Sequence, residues 1–144
     1  MHAKNRKLLL LITALGEGAV GICFLFLPIV PLDILLGLEH ATVDTLLVGR
    51  IAGVALLAIG IASWMARTDA LTPAQLGLLT GILIYHTAIA MLLAFAGAVL
   101  NMIGVLLWPA VALHAILAVW CFTCLRPDIS RAARLFPRSK RFLE

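Results

Sequence analysis

Four ionisable side chains stand inside otherwise apolar stretches of this chain: Glu17, Arg50, His86 and His114. An ionisable group held away from water is costly, so each is a candidate for function. A carboxylate can take a proton or bind a cation. An imidazole can donate or accept a hydrogen bond, or ligate a metal. If the stretches are helices crossing a bilayer, a rise of about 1.5 Å per residue puts Glu17, His86 and His114 about 14, 15 and 16 Å above the inner boundary, and Arg50 about 24 Å above it. Three titratable groups from three segments then share one level near the middle of the membrane. Glu17 is the expected charge-carrying group, with Gly16, Gly18 and Gly21 leaving room beside it for another helix or a ligand. Arg50 is its expected counter-ion or an anion contact, with snorkelling to the outer interface as the alternative. His86 and His114 are the expected hydrogen-bonding partners. Ile82, Ala90 and Leu93 share a helical row with His86, and Ala110, Ala118 and Cys121 share one with His114.

Two imidazoles at one level also suit a metal centre. Haem b between His86 and His114 needs their backbones well apart, whereas helices joined as tightly as these two pack at about 8–10 Å. A divalent metal held by Glu17, His86 and His114 fits the spacing better, since three protein ligands with one open position is a catalytic zinc pattern. The H-E-x-x-H signature is absent. No resident cofactor is expected, with haem b or a divalent metal at His86 and His114 as the alternatives. Cys121-x-x-Cys124 has redox-motif spacing. It lies on an apolar helix with no strand before it, and both thiols read as small apolar filler. Phosphate-binding glycine loops, serine nucleophile motifs and acidic metal clusters are absent, and the polar segments are too short for a catalytic domain. A non-enzymatic protein is expected.

The elements that must position these groups are set by composition. Of 144 residues, 63% are hydrophobic and only 12% charged. That is about half the usual charged share, and a water-soluble domain of this length cannot hide so much apolar surface. Apolar stretches at 8–27, 46–66, 76–100 and 102–125 each approach the roughly 20 residues that a helix needs to cross a bilayer. The expected fold is all-α, a single integral-membrane four-helix up-down bundle. The third and fourth helices are joined near Asn101 and Gly104 and must be antiparallel neighbours.

The formal charge of +4 does not point to nucleic acid, because the basic residues gather at the chain ends. Lys4, Arg6 and Lys7 precede the first stretch, Arg67 follows the second, and six basic residues from Arg126 to Arg141 follow the fourth. The first and third connections have neither Lys nor Arg. By the positive-inside rule both termini lie in the cytoplasm, and a bacterial inner membrane is the expected location. The first stretch is too long for a signal-peptide core and reads as a retained helix. Residues 126–144 read as a basic amphipathic tail held by anionic lipid, and the first connection as a short interfacial helix. Trp64, Trp108 and Trp120 fall near helix ends, where indole rings settle in the interface.

Gly49-x-x-x-Gly53, Gly77-x-x-x-Gly81 and Ala14-x-x-x-Gly18 are small-residue pairs that let helices approach closely. Pro109 either kinks the fourth helix or sits in its first turn.

These features support three functions in order. The first is a polar mid-membrane pocket that binds a small ligand or conducts protons. The second is an accessory or assembly subunit of a larger membrane complex, with homo-oligomers also in view. The third is a haem- or metal-binding redox protein. On the first two, cysteines introduced as Asn5→Cys or Lys140→Cys are expected to stay unlabelled by an impermeant thiol reagent in intact cells. Labelling of either from outside overturns the topology.

Overall fold

In a computed structural model of the protein, residues 2–38, 40–70 and 72–135 are described, residue 2 and residues 127–135 by their backbone only. The chain forms α1 (His2–Phe26), α2 (Ile29–Leu36), α3 (Val43–Ala66), α4 (Pro73–Ala98) and α5 (Leu107–Leu135), and no strand occurs among the described residues. Four helices are long and apolar enough to cross a membrane, over Ala3–Phe26, Val43–Ala66, Pro73–Ala98 and Leu107–Arg126. They support a multi-pass membrane protein. Large apolar side chains such as Ile22, Val48, Ile61, Met91 and Phe122 point outward with half or more of their surface exposed.

Local chemistry explains the helix ends. The side chain of Thr42 accepts from the amide of Thr45 at 3.3 Å, and that of Thr72 from the amide of Gln75 at 3.2 Å, capping α3 and α4. Pro73 follows Thr72 at the first helical position, where no amide hydrogen is needed. Pro109 lies in the first turn of α5, so it starts the helix and does not kink it. The α3–α4 turn is pinned by Gln75, whose side-chain amide donates to the carbonyls of Ala66 at 3.0 Å and Asp69 at 3.3 Å. Arg67 stacks on Trp64, 3.6 Å from the ring centroid, and donates to the Trp64 carbonyl.

The helices depart from the expected spans in two ways. α1, α3 and α4 begin earlier than the apolar stretches at 8, 46 and 76 do, because flanking polar residues end an apolar run without ending a helix. The third connection is residues 99–106, with α5 starting at Leu107 and not at Met102. Asn101 there takes a left-handed backbone, φ 54°, which stops α4. Val99, Leu100, Met102 and Ile103 are apolar, so hydropathy could not mark this break. The connection docks on α2, where the amide of Leu106 donates to the carbonyl of Ile34 at 3.0 Å. Gly104 meets the α2 backbone directly, and a Cβ there would lie 2.1 Å from the carbonyl carbon of Leu35. α2 is the short helix expected in the first connection, ended by Gly37 at φ 72°.

The bundle consists of two antiparallel pairs, α1 with α3 and α4 with α5, with α1 also touching α5. The α1–α3 seam is built from small residues. A Cβ on Gly53 would lie 2.8 Å from the Gly21 carbonyl oxygen, and one on Gly60 3.1 Å from that of Ala14. Gly49 and Ala14 belong to the same seam, whereas added Cβ atoms on Gly77 and Gly81 meet nothing within 4 Å. Of the three small-residue pairs, two are therefore used within the chain. The pairs join at one end of the bundle through a core of Leu9, Leu10, Leu79, Ile82, Leu117, Cys121, Cys124 and Leu125. Cys121 and Cys124 are buried free thiols there, and Cys121 contacts the Leu79 carbonyl at 3.2 Å. The side chains that would make residues 126–144 amphipathic lie, Arg126 apart, outside the described residues.

The seam has a direct test. Gly60→Leu must push α1 off α3 and is expected to lower stability by about 1–3 kcal/mol. Gly77→Leu adds the same volume on an open face and is expected to be nearly neutral. Unfolding of the purified protein in a denaturing detergent measures both, and equal losses would refute a backbone-close seam.

Candidate functional site

The α1–α3 seam runs along Ala14, Gly18 and Gly21. Thr13 and Glu17 each precede a seam residue, about 100° round the helix, and so turn toward the gap between the two helix pairs. There Glu17, 7% exposed, meets Tyr85 and His86 of α4 and His114 of α5. Tyr85 Oη donates to Glu17 Oε2 at 2.8 Å. Glu17 Oε1 lies 3.9 Å from Nδ1 of His86, whose ring is fully buried. The Nδ1 atoms of His86 and His114 are 2.9 Å apart, so one carries a hydrogen and the other accepts it. Both histidine ring centroids lie 5.1 Å apart, and Tyr85 stands edge-on to His114 at 5.9 Å. The ligand atoms of Glu17, His86 and His114 all fall within 4.8 Å of one another.

The cluster forms the polar patch of a cavity of about 630 Å³ between the helix pairs, open on one side to the surroundings. Apart from Thr13, Glu17, Tyr85 and His114, its lining is apolar or glycine, with Val20, Leu56, Ile59, Leu93 and Leu113 among the larger side chains. The hydroxyl of Thr13 and Nε2 of His86 are buried and have no hydrogen-bond partner among the described residues. The cluster therefore has bonding capacity beyond its internal contacts.

Glu17, His86 and His114 are thus brought together at one level. Arg50 is not, which corrects the expectation of a Glu17 counter-ion. It is exposed, and the reason is angular. The cavity side of α3 carries Ala52, Leu56 and Ile59, which lie about 180–240° round the helix from residue 50. The basic group within ion-pair distance of Glu17 is His86 instead.

Tyr85 and Thr13 were not foreseen. Tyr85 carried a signal, being the only tyrosine in the chain and adjacent to His86. A phenol inside an apolar helix needs a partner for its hydroxyl, and a carboxylate is the strongest available. Thr13 precedes Glu17 by one turn but otherwise resembles many threonines in apolar helices.

In chemical terms the site can hold a proton, accept a hydrogen-bonding head group, or ligate a cation. It does not fit haem between the histidines, because two nitrogens at hydrogen-bonding distance leave no space for a macrocycle. Comparison with known proteins found no matching family model, no matching curated protein and no matching solved structure.

Proposed function

We propose that this chain is a non-enzymatic four-span membrane protein, with both termini on the cytoplasmic side, whose cavity binds a small, mostly apolar molecule carrying one hydrogen-bonding head group. The observation that carries this reading is the cavity itself. Its volume of about 630 Å³ falls within the range of small-molecule sites, and its few polar groups converge at one place on an apolar wall. The apolar lining takes the body of the ligand. Glu17, Tyr85 and His114 receive the head, with Thr13 beside them on α1. The head group's bonds fix orientation, while burial of the body supplies most of the affinity at roughly 25 cal/mol per Å² of apolar surface removed from water.

The same arrangement speaks for binding over a purely structural role. A cluster serving only to tie helices together has no need of an adjoining cavity, nor of buried polar atoms left without partners. Proton coupling is compatible with this reading, since Glu17 and the paired histidines hold a transferable hydrogen at the ligand's head group.

Photolabelling of the protein in lipid nanodiscs tests the proposal. A long-chain alcohol bearing a photoreactive group on its tail is expected to label cavity residues such as Ile59 and Leu93 in preference to outward residues such as Ile84 and Met91. Leu56→Trp, which fills the cavity, is expected to suppress cavity labelling, and Tyr85→Phe to weaken it several-fold. Labelling that follows outward exposure alone and ignores Leu56→Trp would sink the idea.

A further inference from the structure

We infer that Glu17, His86 and His114 form a site for one divalent transition-metal ion of the zinc class, with its open coordination position facing the cavity. The inference stands on the three side chains and does not require that an organic ligand enters the cavity.

The first support is donor chemistry. Two imidazoles and one carboxylate are a complete set of protein ligands for an ion that keeps one position open. Imidazole nitrogen favours zinc, cobalt, iron, nickel or copper over magnesium or calcium, which take oxygen ligands.

The second support is geometry. The three ligand atoms come from α1, α4 and α5 and lie within 4.8 Å of one another. Two imidazole nitrogens only 2.9 Å apart repel through their lone pairs unless a hydrogen or a cation stands between them. A tetrahedral ion with bonds of about 2.0–2.1 Å holds its ligand atoms about 3.4 Å apart. The histidine pair, 2.9 Å apart, must open by about 0.5 Å, and the carboxylate must close by about 0.5 Å on His86 and by up to about 1.4 Å on His114. In the loaded state each ring carries its hydrogen on Nε2.

The third support is the arrangement behind the ligands. Tyr85 donates to Oε2 of Glu17, which leaves Oε1, the oxygen 3.9 Å from His86, as the one directed at the ion. Orientation of a ligating carboxylate by an outer hydrogen bond is a recurrent feature of metal sites. His86 is fully buried and held in place, whereas Glu17 and His114 both reach the cavity wall. The face of the ion not covered by protein therefore opens into the cavity.

Cobalt(II) titration of the full-length, untagged protein in detergent tests the site, because cobalt in a four- or five-coordinate site absorbs visible light far more strongly than the aqueous ion. The expected result is saturation at one cobalt per chain, reversed stoichiometrically by zinc. His114→Ala is expected to abolish the bands, and Tyr85→Phe to weaken binding about 10–100-fold by freeing the carboxylate. Arg50→Ala is expected to bind as the unaltered chain does. Gel filtration and helical circular dichroism establish that each variant is folded, and an unfolded variant leaves the decision to the unaltered chain. Absence of a saturable band in that chain overturns the inference, as does a band that survives the folded double variant His86→Ala, His114→Ala. The titration is blind to organic ligands, so its failure and that of the photolabelling are read separately.

Discussion

The close approach of α1 to α3 is the constraint on which the rest depends. At Gly21, Gly53 and Gly60 a single added Cβ would come within about 3 Å of the opposite backbone, which for Gly60 is that of Gly18. Contact at that range fixes the height and the rotation of α1 together. Rotation matters most, because Glu17 sits next to Gly18 and its direction follows from where the seam lies. A rotation of α1 by one residue position would move the carboxylate about 100°, away from the facing helices. The driving force is packing, which is the main attraction between apolar helices when the surrounding medium is itself apolar.

The second pair is organised differently. α4 and α5 meet through the fully buried Leu79, His86 and Cys121, and through a hydrogen bond between two rings, not through backbone contact. Side chains at this interface hold the helices far enough apart to leave room for imidazoles. Because one pair is closed by glycine and the other is spaced by side chains, the two do not fill the volume between them. The cavity is the consequence, and its polar patch falls where side chains of α1, α4 and α5 converge. At one end the core around Leu9, Leu79 and Cys121 closes the gap. At the other, α2 and the 99–106 connection are locked together by Gly104 against Leu35.

This division explains how one small chain combines a rigid frame with an unsaturated site. Buried polar atoms without partners, such as the Thr13 hydroxyl and His86 Nε2, are costly where nothing satisfies them. Thr13 lies on the cavity wall and His86 is buried directly behind it, and the frame around them does not rely on their bonds.

The sequence by itself determined that the chain is helical, that four segments are long and apolar enough to span a bilayer, and that Glu17, His86 and His114 share one level. Hydropathy and residue count carry that much, since rise per residue converts position into depth. Tertiary structure decided which groups at or near that level face one another. Arg50 and Glu17 looked like partners because charge and approximate depth were the only guides, and the rotation of α3 sends Arg50 outward. Tyr85 stood out as a lone phenol in an apolar helix, but that Glu17 is its partner is decided by what lies opposite. The connection was expected near Asn101 and Gly104, but its full length, 99–106, was hidden for a related reason. Its residues are as apolar as a helix, and what ends α4 there is a backbone turn at Asn101 and a contact between Gly104 and α2, neither of which hydropathy records.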